Sequence, residues 1–279
     1  MDAASSLADP IATGRPGSGG AARDEGNDIP SIDWQGAPIT DATCAGCVHA
    51  DLRTRAGCQP GRSCMQDVYA RRIDRFFRTH PGLAQAHLAH PYFEVRAIAA
   101  RHADLFHLPA MLSDPDETVR LQLALRLPQR QLSRMRDDPH REVRIRVALR
   151  IADAELAWMI RDADYQVRAI VARRVALPLL PLLAKDSDLQ VRLEVARRLV
   201  MPALWRLVDD PAPEVRRIVA ERLPVALLGP LAADGDWTVR WEAAGRAVGA
   251  PLQQLLADAE PEVRERAAER LAELEPTHG

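Results

Sequence analysis

Lysine is almost absent from this chain, because Lys185 is the only lysine among 37 basic residues. A phosphate-binding loop of the GxxxxGK[ST] type is therefore excluded, and Schiff-base chemistry would depend on this single side chain. Aromatic residues make up only 4% of the sequence, so leucine, valine, isoleucine and alanine must form the core. Small aliphatic side chains of this kind suit thin layers of helices rather than a thick sandwich.

Long apolar runs and a strong net charge are also missing. The sequence has no run of 18 apolar residues, which argues against a membrane-spanning helix. Its first twenty residues do not combine a basic start with an apolar stretch, as a secretory signal would. The formal net charge is −2, so no field over the whole chain points to nucleic acid or a membrane surface. We therefore expect a cytoplasmic protein that does not bind membranes.

Signatures of catalysis are missing as well. The sequence contains no GxSxG motif, and its carboxylates recur with the repeat described below instead of clustering as an acid–base pair. An acid pair that returned in every repeat would be an implausible active site. We predict no catalytic residues and a protein that is not an enzyme.

A fixed period of 24 residues dominates the sequence from about residue 83 onward. A Val-Arg pair recurs eight times without an insertion, and an alanine follows each valine by five residues. Aspartate stands five residues before the valine in seven of the eight repeats. The eight valines are Val95, Val119, Val143, Val167, Val191, Val215, Val239 and Val263. Such a period is typical of solenoids, in which each repeat buries its apolar face against its neighbours.

Helical periodicity accounts for the apolar positions of each repeat. At about 100° per residue, the residues four, five and eight after the valine share one arc with it. In the fourth repeat these are Val171, Ala172 and Val175. The pattern predicts an amphipathic helix of about ten residues. The rest of each repeat carries a leucine thirteen residues after the valine and frequent prolines, which predicts a short α or 3-10 turn.

The arginine after each repeat valine falls inside the apolar arc and therefore needs a buried partner. The repeated aspartate, from the same repeat or the next, is the candidate, for example Asp138 with Arg144. Because Asp-Pro suits the start of a helix, we also expect this aspartate to cap its helix. We interpret the series as a structural ladder and not as a set of nucleic-acid contacts.

Four cysteines lie within 21 residues and form the pattern C-x2-C-x10-C-x5-C. They are Cys44, Cys47, Cys58 and Cys64. Four thiolates suffice for a tetrahedral zinc or for an iron–sulfur cluster, and the spacing alone does not decide between them. Gly46, Gly57 and Gly61 would let the backbone turn so that amides point at sulfur. We predict these four cysteines as the metal- and cofactor-binding residues.

The recurring pattern D-x-x-x-x-V-R-x-x-x-A-x-R-L resembles the leucine-rich repeat variant proteins, and more distantly the HEAT-type repeats. The likeness covers residues 83–274. It implies an all-α, right-handed solenoid of alternating α and 3-10 helices. It also implies an N-terminal cysteine domain with a 4Fe-4S cluster, typical of nitrogen-fixing bacteria, and zinc remains the alternative occupant. The first repeat departs most from the pattern, with His90 for aspartate and His102 for arginine.

The sequence therefore divides into four segments. Residues 1–40, rich in Gly, Ser, Ala, Pro and Asp, are predicted to be a disordered tail. Residues 41–82 form the four-cysteine domain, with a helix expected at about 64–79. Residues 83–274 form the eight repeats, and residues 275–279 form a short tail.

Three functions follow from these observations. The leading hypothesis is a non-catalytic scaffold that binds a partner protein, with binding modulated by the redox state or oxygen damage of the cluster. The second is an electron-transfer protein that uses the 4Fe-4S cluster. The third is a nucleic-acid-binding helical solenoid, against which the near-neutral charge and the buried position of the repeated arginines argue.

Overall fold

The structure of the chain is a computed structural model that describes residues 29–275. Most of the predicted N-terminal tail, residues 1–28, and the last four residues lie outside the described residues. The chain divides after Phe76 into two compact units. We call residues 29–76 the cysteine region and residues 77–275 the repeat region, and describe each by itself.

The cysteine region contains little regular structure. Its helices are α1 (Asp41–Ala45), α2 (Ala50–Thr54) and the start of α3 (Ala70–Thr79). Helix α3 begins six residues after Cys64, so the prediction of a helix from about residue 64 is wrong for its first turn and a half. Turns occupy this stretch because the Asp67 carboxylate accepts the backbone N–H of Tyr69 at 2.9 Å.

Residues 29–40 belong to the cysteine region and not to a tail. The buried guanidinium of Arg72 donates to the carbonyls of Ile29 and Pro30 at 2.6 and 3.2 Å, and to Asp67 at 3.1 Å. Ser31 donates its hydroxyl proton to the same carboxylate at 2.9 Å. The predicted tail therefore extends too far, because residues 29–31 are held by contacts with Asp67 and Arg72.

The repeat region alternates α-helices with 3-10 segments, which confirms the predicted all-α solenoid. Its α-helices are α4 (Phe93–His102), α5 (Glu117–Arg126), α6 (Gln129–Leu132), α7 (Arg141–Arg150), α8 (Tyr165–Arg174), α9 (Leu189–Arg198), α10 (Pro213–Arg222), α11 (Gly229–Ala232), α12 (Trp237–Ala244), α13 (Gly249–Leu255) and α14 (Pro261–Leu274). The 3-10 segments are Pro81–His87, Leu108–Met111, Ser133–Met135, Asp153–Met159, Leu180–Leu183, Ala203–Leu207 and Val225–Leu227. Over residues 29–275 the structure contains isolated β-bridges but no strand, and none of its helices has the length and apolar character that a membrane span requires.

The core of each repeat comes from the predicted apolar positions. In the fourth repeat Val167, Val171, Ala172 and Val175 are fully buried, and so is Leu180 in the following 3-10 segment. The long α-helix of each repeat contacts the long α-helix of the next. Burial of each large aliphatic side chain contributes about 1.5–3 kcal/mol, so the repeats are held together mainly by this shared apolar layer.

The repeated arginine links each repeat to the next one through a two-pronged ion pair. Its Nε and Nη2 donate to the carboxylate of the following repeat's aspartate, and its Nη1 donates to a backbone carbonyl in its own repeat. Within residues 29–275 the pairs are Arg96–Asp114, Arg120–Asp138, Arg144–Asp162, Arg168–Asp186, Arg192–Asp210, Arg216–Asp234 and Arg240–Asp258, with Nε–Oδ2 distances of 2.7–2.8 Å. A guanidinium can donate in this planar, forked arrangement and an ammonium cannot. This explains why the position is occupied by arginine and not by lysine.

The predicted pairing of Asp138 with Arg144 through the carboxylate is wrong. Arg144 donates to the backbone carbonyl of Asp138 at 2.9 Å and to the carboxylate of Asp162 at 2.8 Å. The ladder aspartate also does not cap the helix of its repeat, because the N-cap lies two residues later, as at Asp116 and Asp164. Since each partner comes from the following repeat, Arg96 of the first repeat is paired although His90 replaces its own aspartate.

A second set of arginines, whose role the sequence analysis missed, lies seven residues after the repeat valine in the second to seventh repeats. Each donates to the carbonyl at the end of the preceding repeat's helix, as Arg198 does to Ala172 and Val175 at 2.7 and 2.9 Å. The set is Arg126, Arg150, Arg174, Arg198, Arg222 and Arg246. Helix C-terminal carbonyls need such donors, and a cation there also opposes the helix dipole. The first repeat follows no other repeat, so His102 can stand in the place of this arginine.

Candidate metal centre

Short helices and turns place the four predicted cysteines. Cys44 lies in α1, whose N-terminus is fixed by the mutual capping of Thr40 and Thr43. Cys47 follows directly after α1, and its backbone N–H donates to the carbonyl of Cys44 at 3.2 Å. The C-x2-C spacing therefore brings both thiols to the same end of one helical turn.

The other two cysteines flank a tight loop. Gln59 and Ser63 form a β-bridge that holds Cys58 and Cys64 on either side of it. Gly61 sits in this loop with φ of 75°, a conformation that L side chains rarely adopt. Gly46, in contrast, has φ of −86° and does not use that freedom. Of the three glycines predicted to allow turns, Gly61 is thus the one whose conformation requires glycine.

All four thiols line a single cavity. It encloses about 330 Å³, part of it open to solvent, and Ile39, Ala50 and Pro60 supply apolar walls. Its cysteines are Cys44, Cys47, Cys58 and Cys64, and none of them forms a disulfide. Among the described residues, no three His, Cys, Asp or Glu side chains are grouped tightly enough to hold one metal ion. The thiols thus surround a common space and do not converge on a point.

Burial opposes ionisation of the thiols of Cys58 and Cys64. Burial, and secondarily the neighbouring cysteines, raise the pKa of Cys58. Burial also raises the pKa of Cys64 to about 11, although a hydrogen bond from the backbone of Gln66 acts the other way. Four thiolates can share this cavity only if a cationic group neutralises them, because metal binding deprotonates a coordinating thiol. The donor set fits an iron–sulfur group or a metal ion of similar charge.

Backbone amides already point at two of the sulfurs. The N–H of His49 donates to Cys47 Sγ at 3.4 Å, and the amide of Gln66 donates to Cys64. Amides that donate to cysteine sulfur stabilise the extra negative charge of a reduced cluster and so adjust its reduction potential. The arrangement agrees with the predicted orientation of amides toward sulfur.

Arg53 is the arginine that lines the cavity. Its guanidinium forms an ion pair with Asp41 and also reaches the thiol of Cys44, and these two contacts raise the pKa of Arg53. The sequence places six further arginines at residues 51–78, but Arg72 is buried with Asp67 and Arg55 pairs with Asp51. Arg53 is therefore the member of this basic group that is placed to act on the cavity.

Comparison with known proteins finds a family match for the cysteine region and another for the repeats. A family model described as the LRV protein FeS4 cluster matches residues 31–86, and one described as the leucine rich repeat variant matches residues 213–236. A solved structure described as a leucine-rich repeat variant with a novel repetitive structural motif is 43% identical. The match covers 84% of this chain and 100% of that one, with a TM-score of 0.76.

A second relative comes from Rhodobacter capsulatus. It is described as an uncharacterized 27.7 kDa protein in the nifB 3′ region, and it is 46% identical over 97 residues. The match covers 35% of this chain and 38% of the relative, so it spans little more than a third of either protein. The location of that relative in the nifB 3′ region agrees with the nitrogen-fixation context that the sequence resemblance implies.

Proposed function

The chain belongs to the leucine-rich repeat variant family with an N-terminal iron–sulfur domain, and from this premise we propose that it is a non-catalytic scaffold. In this proposal Cys44, Cys47, Cys58 and Cys64 hold a 4Fe-4S cluster, and the repeats bind a partner protein. The observation that carries the first part is the single cavity lined by all four thiols.

The cysteine residues would supply one thiolate to each iron of the cluster. The bound group supplies the chain with a one-electron redox centre. The chain in turn supplies the amide of His49 at Cys47, the guanidinium of Arg53 at Cys44 and apolar walls that limit the access of water. All three properties act on the stability and potential of a cluster held here.

The test of the cluster is anaerobic purification of the full chain with analysis of iron, sulfide and zinc and a visible absorption spectrum. We expect about four irons and four sulfides per chain, as in other four-cysteine cubane sites. The variant Cys58→Ser should lose most of the iron, whereas Ser63→Ala in the same loop should keep it, since the Ser63 hydroxyl has no hydrogen-bond partner among the described residues. One zinc per chain without colour would overturn the cluster.

The second part of the proposal concerns modulation of partner binding. The first repeat follows Cys64 by about twenty residues of chain, and a change at one end of a repeat array acts mainly on the nearest repeats. We therefore propose that the redox state of the cluster, or its loss in air, changes the affinity for the partner. Equal affinity of the oxidised, reduced and air-exposed protein for a captured partner would overturn the modulation. If reduction were reversible in that case, electron transfer would become the better account.

A further inference from the structure

The 3-10 segments of the second to fifth repeats present an unusual set of exposed side chains. Fifteen residues after the repeat valine, these repeats carry Arg134, Trp158, Leu182 and Arg206. The exposed fraction is 69% for Trp158 and 66% for Leu182, and the neighbouring Trp205 is 38% exposed. Large apolar side chains with this exposure on consecutive repeats are typical of a surface that a partner covers.

The fold does not require these residues at this position. The first repeat places Ala110 there in a 3-10 segment of the same kind, and the sixth and seventh repeats place Pro230 and Gln254 there in the short helices α11 and α13. The residues on either side of the exposed positions, such as Leu180 and Leu183, are buried and apolar in the first seven repeats for packing reasons. Tryptophan, leucine and arginine at the exposed position therefore need an explanation other than stability of the repeat.

The same repeats carry cations that the protein itself does not neutralise. In the segments that follow their long helices, five exposed basic residues form no ion pair with a described residue, namely Arg130, Arg134, Arg161, Lys185 and Arg206. The acidic residues nearby are largely paired: Asp137 and Glu155 contact Arg136, and Asp153 contacts Arg174. Asp209 is the exposed acid there that forms no such pair among the described residues.

Two contacts join neighbouring repeats across this set. The guanidinium of Arg136, from the second repeat, lies 4.8 Å from the ring centroid of Trp158 in the third. Lys185 of the fourth repeat and Arg206 of the fifth line the same groove of about 710 Å³. We call the exposed residues Arg130, Arg134, Trp158, Arg161, Leu182, Lys185, Trp205 and Arg206 the cationic–apolar face.

We propose that the cationic–apolar face binds an acidic protein segment that carries apolar anchor residues. The proposal rests on the proposed function, because it names where and with what chemistry the partner protein binds. Unneutralised cations attract carboxylates and steer association, and buried tryptophan and leucine supply most of the binding free energy at such interfaces. A nucleic acid fits less well, since single-stranded bases need successive aromatic platforms and Leu182 separates the two tryptophans.

The test begins with a library of random 16-residue peptides displayed on phage and selected on the anaerobically purified full chain. We expect the enriched peptides to carry net negative charge together with at least two large apolar residues. One enriched peptide is then synthesised with a fluorophore and its binding is measured by anisotropy. The double variant Lys185→Glu, Arg206→Glu should weaken binding at least about tenfold, and Trp158→Ala should weaken it severalfold.

The matched control is the double variant Arg146→Glu, Leu149→Ala on the exposed face of α7, which should bind the peptide as the unchanged protein does. Melting curves check that every variant is folded. Enrichment of basic or uncharged peptides, or equal binding by all variants, would overturn the proposal. So would tight, salt-sensitive binding of a 20-nucleotide single strand that is lost in the Lys185→Glu, Arg206→Glu variant.

Iron and sulfide are measured on the same preparations. A chain that lacks iron but shows the expected peptide binding leaves the surface intact and removes the cluster from the proposed function. A chain with a full cluster whose variants bind equally leaves the cluster intact and removes the surface. The two failures are therefore separate.

Discussion

The arginine ladder of the repeat region and the four-thiol cavity of the cysteine region differ in how their ionisable side chains are neutralised. In the repeats, each buried guanidinium finds a carboxylate and backbone carbonyls within the chain, as Arg120 does with Asp138 and the carbonyl of Asp114. In the cysteine region, four thiols face a shared cavity, and the Arg53 side chain at its wall is 36% exposed. The arginine ladder is thus neutralised by the chain's own residues, whereas in our proposal the four thiolates of the cysteine region are neutralised by a cationic group from outside.

The largest effect should come from breaking one rung of the arginine ladder. Arg120→Ala leaves the Asp138 carboxylate buried without its cation, and the loss of one partner of a buried ion pair costs about 3–5 kcal/mol. Urea unfolding followed by circular dichroism measures the change. Arg146→Ala, at an exposed position, serves as the control and should change stability by less than about 0.5 kcal/mol. A loss below about 1 kcal/mol for Arg120→Ala would mean that the ladder contributes little.

A smaller effect should come from the second set of arginines. Arg198→Ala removes the donors to the carbonyls of Ala172 and Val175, and hydrogen bonds from a charged group contribute about 1.5–3 kcal/mol. Arg198→Lys should recover only part of the loss, because an ammonium cannot span both carbonyls in one plane. The same urea experiment compares the two variants. Full recovery by lysine would show that charge near the helix end, and not the forked geometry, stabilises the contact.

Acid should lower the free energy of unfolding of the repeats gradually. The loss for each protonated aspartate should be smaller than the loss caused by Arg120→Ala. The hydrogen bond from Arg240 is the main cause that holds the pKa of Asp258 below its usual value. For Asp114 and Asp186, burial alone would raise the pKa, but the contacts from Arg96 and Arg168 prevail and lower it. Because these folded-state pKa values are depressed, the stability they provide is complete above the unfolded value of about 3.9 and is lost as the pH falls through the folded values.

Urea midpoints at pH 7, 5.5 and 3.5 test this sign. Helical circular dichroism should report nearly equal midpoints at the first two values and a lower midpoint at the third. A midpoint that rises on acidification would contradict the role given to the aspartates.

The smallest change in stability, but a clear change in chemistry, should come from Arg53→Gln. A positive charge beside Cys44 favours the more negative, reduced state of a cluster, so its removal should lower the midpoint potential. An anaerobic spectroelectrochemical titration measures the shift, and Arg55→Gln, whose parent residue pairs with Asp51 at an exposed site, is the control. Equal or higher potential in Arg53→Gln would place the guanidinium outside the influence of the cluster.

The architecture of the repeats could be predicted from the sequence because every repeat solves the same packing problem with the same residues. The buried positions of Val167 and Val171 follow from helical periodicity alone. The partner of Arg144 could not be predicted from the sequence, because Asp138 and Asp162 are chemically identical candidates. Only the fold shows which carboxylate lies within reach of the guanidinium. The recurrence of an arginine at the position of Arg198 was visible in the sequence. Its partners are backbone carbonyls, which carry no signal in the sequence, so its role could not be predicted.

The cysteine region could be predicted less completely, because its order depends on contacts that occur once. The four cysteines were found from their spacing, and the structure brings them to one cavity. The contacts of residues 29–31 with Arg72 were missed because a segment without periodicity resembles a tail until its partners are known. The sequence could not show that Arg53, and not another nearby arginine, lines the cavity, because this depends on which side of α2 faces the thiols.

Hydrogen–deuterium exchange of the full chain before and after anaerobic removal of iron is the most direct test of the contrast between the two regions. Removal of the cluster should abolish the protection of amides in residues 29–69 and leave the protection of residues 213–274 unchanged. Unchanged protection in residues 29–69 would contradict the dependence of the cysteine region on a bound group. Loss of protection throughout the repeats would contradict their self-sufficiency.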